Sequence, residues 1–171
     1  MNQEQTLTLE AMLAAKEARA ARQQALLAQY GGSLASITVN LPGPYKNRPE
    51  AVALVEYAVQ TLAELFGANY QDVQALATGP LGFVSCDAPA EVLKRAAVAI
   101  EETGRFGRLL DIDVFDKNGV LLSRGDTAEK KRQCFLCDRP AIVCMREGRH
   151  SPAELETAVQ EMLEDFMRQN R

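Results

Sequence analysis

The sequence predicts an α+β fold in which a mostly antiparallel sheet carries helices on one face, with extra helices at the N- and C-termini. Segments that alternate in hydrophobicity, as half-buried strands do, lie at about 33–40, 73–86 and 110–122. Segments with apolar residues at helical spacing separate them at about 49–66 and 89–103. The order strand, helix, strand, strand, helix, strand is that of a ferredoxin-like βαββαβ core.

An amphipathic helix precedes the first strand. Apolar residues recur near helical spacing from Leu9 to Tyr30, and the two glycines that follow tolerate the left-handed conformation of a helix end. Residues 33–40 then alternate and are rich in β-branched side chains, which favours a strand. The polar face of the helix carries Arg19 and Arg22, which are interpreted as solvent-exposed or as contacts for a partner.

The second helix follows a loop rich in proline and glycine. Asn47 is predicted to cap this helix, and Pro49 to stand in its first turn. Two short strands come next, and the Gly79-Pro80 pair predicts the turn between them.

The third helix is predicted at 89–103, with Asp87 as its cap. The sequence DKNG at 116–119 is typical of a hairpin turn between the last two strands. The C-terminal helix has the clearest start, because Ser151 and Glu154 form a capping box around a proline.

The composition indicates one globular domain, which we predict to span residues 1–171 and to be long enough for a sizeable core. The net charge of −4 argues against a general attraction to nucleic acid or to a membrane. The sequence contains neither an apolar run of membrane-spanning length nor the features of a signal peptide. We therefore expect a cytoplasmic protein with four cysteines that are reduced or bind metal.

Asp111 and Asp113 are the first candidates for a functional site. They alternate with Leu110, Ile112 and Val114, so a strand here would direct its apolar side chains to a core and both carboxylates to the opposite face. Residues two apart on a strand are separated by about 6–7 Å, which lets Mg²⁺ sit between their oxygens. The alternative is a solvated strand face that binds nothing.

Five cations are candidates for binding phosphate. Arg105, Arg108 and Arg124 bracket the two aspartates, while Lys46 and Arg48 precede a helix N-terminus, where anions are favoured. Acids that hold a metal, beside cations that hold phosphate, are what nucleotidyl transfer requires. Exposed bases beside a capped helix are the alternative for the loop pair.

Cys134, Cys137, Cys144 and His150 are zinc-compatible side chains in one segment. The first two have the gap of a metal knuckle, whereas the five residues between Cys144 and His150 are not a usual zinc spacing. A structural Zn²⁺ would stabilise a segment poor in regular structure. The alternatives are cysteines packed as small apolar side chains, a redox pair, or a proton-transfer role for His150.

The segment 124–149 is the most basic part of the chain and is a candidate surface for a polyphosphate or an acidic protein. Its cations are Arg124, Lys130, Lys131, Arg132, Arg139, Arg146 and Arg149.

Several segments, taken in order, resemble the CitX family of phosphoribosyl-dephospho-coenzyme A transferases, which mature citrate lyase. They are ITVNLPGPYKN, GRLLDIDVF, LLSR, RQCFLCDRPAIVCMREGRH and SPAEL, and the resemblance extends over about residues 9–167. It implies an enzyme that takes triphosphoribosyl-dephospho-coenzyme A and attaches the prosthetic group to a serine of the citrate lyase acyl carrier (gamma) subunit. Pyrophosphate would be the leaving group.

On this resemblance, Asp111 and Asp113 would be catalytic and would hold Mg²⁺ against the triphosphate, as a similar acidic pair does in the transferases of malonate decarboxylase. An acidic carrier subunit would dock on the basic segment. Two other functions stay open. One is a noncatalytic, zinc-stabilised adaptor that binds the carrier, and the other is a different Mg²⁺-dependent nucleotidyltransferase.

Overall fold

The computed structural model describes residues 8–43, 45–123 and 132–170. The helices are α1 (Leu9–Tyr30), α2 (Pro49–Phe66), α3 (Ala90–Glu101), α4 (Ala141–Glu147) and α5 (Pro152–Gln169), with a 3-10 helix at Phe106–Leu109. The strands are β1 (Ser33–Val39), β2 (Tyr70–Leu76), β3 (Gly79–Cys86), β4 (Leu110–Phe115) and β5 (Leu121–Leu122). The predicted α+β class is confirmed. No helix of the described residues is long and apolar enough to cross a membrane.

The strands form one sheet in the order β2-β3-β1-β4-β5, and each neighbouring pair is antiparallel. The chain passes from β1 through α2 to β2, turns into β3, and returns through α3 to β4. This is the connection of the predicted ferredoxin-like core. The short strand β5 extends the sheet at one edge as the second arm of a hairpin.

The helices α2, α3 and α5 cover one face of the sheet and form the main core with it. Ala35, Ile37 and Val84 point to this face and are fully buried. At Gly82 a Cβ would lie 2.5 Å from Val59 Cγ2, so the glycine is needed for the close approach of α2 to β3. The aromatic rings that join α5 to this core are those of Tyr57, Phe106 and Phe166.

The helix α1 lies on the opposite face and is buried through its C-terminal half. Leu26 packs there in a second, smaller core with Phe83 and its neighbours. Leu9, Met12 and Leu13, which the sequence places on the apolar face of this helix, are 74%, 51% and 53% exposed. The N-terminal half of α1 therefore stands beside the sheet without filling the space between them.

The turn between β2 and β3 differs from the sequence prediction. It lies at Ala77-Thr78, and the predicted turn residues Gly79 and Pro80 instead begin β3. Gly79 has a φ of +115°, which L side chains rarely adopt. The glycine is thus required at the first residue of the strand rather than within the turn.

Two helix caps also differ from the prediction. The N-cap of α2 is Arg48 rather than Asn47, and its side chain makes no cap bond. The N-cap of α3 is Pro89, while Asp87 accepts a hydrogen bond from Asn69 Nδ2 at 2.8 Å. Both helices start without a side-chain cap, with Pro49 following the N-cap of α2 and with Pro89 itself as the N-cap of α3.

The predicted capping box of α5 is confirmed. Ser151 Oγ accepts from Glu154 N at 3.2 Å, and Glu154 Oε2 accepts from Ser151 N at 2.7 Å. The preceding helix α4 is absent from the sequence prediction, because seven residues are too few to show a helical period.

Candidate functional site

The strand β4 places Asp111 and Asp113 on the face of the sheet where α1 lies. Asp111 is paired with Thr38 of β1, and Asp113 with Ser36. The residues between them point to the main core, with Ile112 1% exposed. The predicted division of this strand into an apolar face and an acidic face is therefore present, and we call the two aspartates the acidic pair.

The acidic pair concentrates negative charge in a half-buried position. Burial is the main cause that raises the pKa of Asp113, and the nearby carboxylate of Asp111 raises it further. The positive charges of Lys94, Arg19 and Arg132 act in the opposite direction. A cation at this position would relieve the repulsion, and carboxylate oxygens are the ligands that Mg²⁺ prefers. The residues present therefore fit a divalent cation.

A cleft of about 290 Å³ lies between the N-terminal half of α1 and the sheet. The turn between β2 and β3 forms part of its wall, and Thr38, the β1 partner of Asp111, forms another part. Its cations are Lys16, Arg19 and Lys46. We call this space the cationic cleft, and its charge and position suit a phosphate chain held beside the acidic pair.

Lys46 is the predicted phosphate-binding residue that lines the cationic cleft. Its Nζ donates a hydrogen bond to the carbonyl oxygen of Leu41. Burial, and then the positive charge of Arg48, lower the pKa of this lysine. An anion in the cleft would offset both effects, because it would favour the charged ammonium.

Arg48 and Arg105 face α5 rather than the acidic pair. Arg48 forms an ion pair with Glu156 and donates to the Tyr45 carbonyl oxygen at 3.1 Å. Arg105 lies 3.6 Å from Glu161. The structure therefore does not bring these two predicted cations to the acidic pair.

Arg108 contacts the cysteine segment. It donates to the carbonyl oxygen of Cys134 and to Gln133 Oε1, each at 3.1 Å. Arg124 lies outside the described residues. Phosphate binding by the predicted arginines, at positions 48, 105, 108 and 124, stays a prediction.

Arg132 contacts the acidic pair directly through Asp111. Its Nη2 donates to Asp111 Oδ1 and to Glu101 Oε1, each at 2.8 Å. The sequence prediction assigns Arg132 to a docking surface and misses this contact. It also interprets Arg19 as solvent-exposed or as a contact for a partner, because charges on a helix surface have no pattern that identifies the strand they approach.

Cys134, Cys137, Cys144 and His150 converge, with their ligand atoms all within 4.8 Å of one another. We call these four residues the Cys–His cluster. The Sγ of Cys137 lies 3.4 Å from Cys144 Sγ and 3.5 Å from His150 Nε2. A tetrahedral zinc site with Zn–S bonds of about 2.3 Å places neighbouring ligand atoms about 3.5–3.8 Å apart. The cluster therefore has the size and chemistry of a zinc site.

Local structure explains this convergence. A short hairpin carries the first two cysteines, with Cys134 N donating to Arg139 O at 2.8 Å. The helix α4 supplies Cys144, and Gly148 (φ +57°) turns the chain back toward His150. The gap between the last two ligands, which is unusual for a knuckle, thus spans the end of a helix.

Within the Cys–His cluster, Cys137 is the thiol that favours the thiolate form, whereas burial raises the pKa of Cys144 to about 11. A hydrogen bond from the backbone N–H of Arg139 is the main cause that lowers the pKa of Cys137 to about 6, with His150 and Cys144 adding to it. Zinc binds the thiolate form, so a lowered thiol pKa suits a ligand. A second cavity of about 320 Å³ adjoins the cluster, and Arg108 and Arg132 lie in its wall.

Some cations of the basic segment form ion pairs with a glutamate of the same segment. Arg139 and Arg149 lie 3.4 and 3.6 Å from Glu147, so they form ion pairs within the segment. Arg146 is exposed on α4. Residues 124–131 of the basic segment lie outside the described residues.

Comparison with known proteins identifies one family. The family model described as CitX, apo-citrate lyase phosphoribosyl-dephospho-CoA transferase, matches residues 7–166. That range contains the acidic pair, the cationic cleft and the Cys–His cluster.

Individual relatives agree over most of their length. The chain is 35% identical to a probable apo-citrate lyase phosphoribosyl-dephospho-CoA transferase of Vibrio cholerae, with 94% of each chain covered. It is 37% identical to one of Streptococcus pyogenes, covering 95% of this chain and 88% of the relative. It is 36% identical to the apo-citrate lyase phosphoribosyl-dephospho-CoA transferase of Escherichia coli, covering 90% of this chain and 87% of the relative.

Proposed function

The chain belongs to the CitX family of apo-citrate lyase phosphoribosyl-dephospho-CoA transferases and is a transferase, and on that premise we propose its reaction. The enzyme transfers the 2'-(5''-phosphoribosyl)-3'-dephospho-CoA group from its triphosphate precursor to a serine of the citrate lyase acyl carrier subunit. The serine oxygen forms a bond to the α-phosphorus, and the bond from that phosphorus to the β-phosphate oxygen breaks. Pyrophosphate leaves, and the serine proton passes to a base.

The observation that carries this proposal is the acidic pair beside the cationic cleft. Nucleotidyl transfer is catalysed mainly by positioning and by neutralising charge on the phosphate chain. The cleft supplies cations from a helix on one side of the space and from a loop on the other, Arg19 and Lys46 among them. The cleft would orient the triphosphate so that its α-phosphorus faces the carrier serine.

Asp111 and Asp113 would hold Mg²⁺. When bound, the ion would lower the negative charge that opposes attack on the α-phosphorus and would bind the phosphate oxygens. The pKa of Asp113, which burial and then the Asp111 carboxylate raise, supports a cation at this position. The described residues next to the pair also include a fixed guanidinium, Arg132, which limits the charge that the fold must tolerate without the ion.

Zn²⁺ is the proposed occupant of the Cys–His cluster, where it would be structural. Three sulfurs and one imidazole nitrogen form a common set of structural zinc ligands. The carrier subunit would approach over the basic segment 124–149, since an acidic carrier would be attracted to its cations. The cytoplasmic location, the single domain and the remaining phosphate contacts at Arg48, Arg105, Arg108 and Arg124 stay predictions.

The test is to incubate the enzyme with candidate triphosphates, with and without apo-carrier, and to measure pyrophosphate release together with the mass of the carrier. We expect release only when the triphosphoribosyl precursor and the carrier are both present, with a matching gain in carrier mass. Carrier binding without modification would instead identify a zinc-stabilised adaptor. Modification with a common nucleoside triphosphate would identify a different nucleotidyltransferase.

A further inference from the structure

Arg132 joins the Cys–His cluster to the acidic pair. Its Nη2 carries two hydrogens, and the two acceptors, Asp111 Oδ1 and Glu101 Oε1, each lie at 2.8 Å. The side chain of Glu101 is only 2% exposed. Its Oε1 also accepts from Ile112 N at 2.7 Å. A single carboxylate oxygen thus holds both the β4 backbone and the arginine.

The edge of β4 explains why a side chain takes this position. In the described residues, β5 pairs with β4 at Val114 and Phe115. The backbone of Ile112 instead bonds to side chains of α3, since its carbonyl oxygen accepts from Lys94 Nζ at 3.0 Å and its N–H donates to Glu101. Glu101 is a buried carboxylate, and Arg132 places a positive charge beside it.

The backbone of Arg132 belongs to the hairpin of the Cys–His cluster. Its carbonyl oxygen accepts from Ala141 N at 2.9 Å, and Cys134 N donates to Arg139 O across the same hairpin. Cys134 and Cys137 lie within this hairpin, between Arg132 and Ala141 in the sequence. A metal bound by the cluster would therefore also stabilise the hairpin. Arg108 also stabilises the hairpin, since it donates a hydrogen bond to the carbonyl oxygen of Cys134.

We propose that Arg132 is a positioning residue for the transfer and that the Cys–His cluster serves to hold it against Asp111. This inference rests on the proposed function. Because Arg132 bonds one oxygen of Asp111, it fixes the rotation of the carboxylate and the direction in which the other oxygen can bind a metal. Mutation of a residue that hydrogen-bonds to a metal ligand typically lowers metal affinity or activity by about 10- to 100-fold.

The first experiment compares Arg132→Ala with Arg168→Ala. Arg168 is also paired with a carboxylate, that of Asp165, but it lies on α5 and outside the basic segment, which makes it a suitable control. We expect Arg132→Ala to lower kcat by about 10- to 100-fold with little change in the KM for the triphosphate precursor. Zinc content should match the wild type, and added guanidinium ion should restore part of the rate. Arg168→Ala should transfer at the wild-type rate.

Three outcomes would overturn the positioning role. They are a wild-type kcat in Arg132→Ala, a change confined to KM, which would indicate direct contact with the precursor, and loss of zinc from that variant. Arg132→Lys supplies a further check, because it keeps the charge but loses the planar fork. Its rate should lie between those of the wild type and of Arg132→Ala.

The second experiment tests the physical link without measuring transfer, so it remains informative even if the proposed reaction is wrong. Hydrogen exchange is measured for the β4 peptide around Ile112 before and after zinc is removed with a chelator. In the wild type we expect faster exchange after chelation, because Glu101 loses a fixed partner. In Arg132→Ala the link is already broken, so chelation should add little. No change in the wild type, or an equal change in both proteins, would refute the coupling.

Discussion

The two faces of the sheet differ in how far helices cover them. Three helices cover one face, where Leu110, Ile112 and Val114 of β4 are buried to 1% exposure or less. On the other face, α1 covers β3 and part of β1, and the acidic pair beside it stays half-buried. The fold therefore gains its stability from one face and leaves room for chemistry on the other.

The helix α1 shows the same division along its length. Its C-terminal half buries Leu26, whereas its N-terminal half presents cations to the cationic cleft, with Arg19 half-buried at the boundary. A helix packed along its whole length would fill this space with apolar side chains. The N-terminal half of α1 thus carries positive charges across the cleft from the sheet, and the space between them can hold a ligand.

The largest expected effect is the loss of transfer when the acidic pair is neutralised. Asp111→Asn or Asp113→Asn should lower the rate of transfer by about three orders of magnitude, or about 4 kcal/mol in activation free energy. Asp72→Asn is the control, since Asp72 is paired with Phe83 and so lies on the same face, but in the distant edge strand β2. Equal loss in all three variants would contradict the proposed site.

The same substitution should separate function from stability. Since the folded-state pKa of Asp113 is raised, its ionised form destabilises the fold at neutral pH, and this penalty disappears as the pH falls below the pKa of an unfolded aspartate. Asp113→Asn should therefore melt no lower than the wild type at pH 7. A marked drop in its melting temperature would show that the charge supports the fold.

The second effect concerns the packed face. Leu62→Ala removes a fully buried side chain of α2 and should lower the free energy of unfolding by about 3 kcal/mol, measured by urea denaturation. The transfer rate per folded molecule should stay at the wild-type value, because α2 lies across the sheet from the cleft. A loss of rate beyond the unfolded fraction would show that the two faces are coupled.

The sequence was sufficient where the signal is local. Alternation at residues 110–114 predicts both faces of β4, and the Cys134–Cys137 gap predicts the start of the Cys–His cluster. The strand order of the core follows from the order of the elements, because short connections leave few topologies. The sequence DKNG also predicts the hairpin turn at 116–119. In the structure Asp116 Oδ1 accepts hydrogen bonds from two backbone N–H groups there.

The candidate site was less predictable because its cations come from distant parts of the chain. The positive charge of Arg19 acts on Asp113 only because α1 lies on the face of the sheet opposite α2, and no residue pattern in the sequence predicts that arrangement. Proximity in sequence was misleading for Arg105, which follows the end of α3 and pairs with α5. Arg132 reaches Asp111 through a hairpin whose shape depends on four separated ligands.

The third effect tests the charged half of α1. Arg19→Ala should raise the KM for the triphosphate precursor about tenfold, or about 1.4 kcal/mol, as expected for a lost charge-assisted contact. Arg22→Ala is the control, because Arg22 lies one turn along the same helix and donates to the Tyr70 hydroxyl at 2.7 Å instead. Its KM should stay at the wild-type value, and an equal rise in both variants would indicate a general charge effect.

The smallest effect is expected at the exposed apolar residues of α1, and it tests whether this half of the helix is truly open. Leu13 is 53% exposed, so Leu13→Ala should change the free energy of unfolding by less than about 0.5 kcal/mol. Leu26→Ala, on the buried half of the same helix, should lower it by about 2–5 kcal/mol. Urea denaturation at two protein concentrations measures both variants. A loss of more than about 1.5 kcal/mol at Leu13 that grows with protein concentration would mean that a second copy covers this surface. The open half of α1 would then be an interface, and the contrast between the two faces would hold only for the isolated chain.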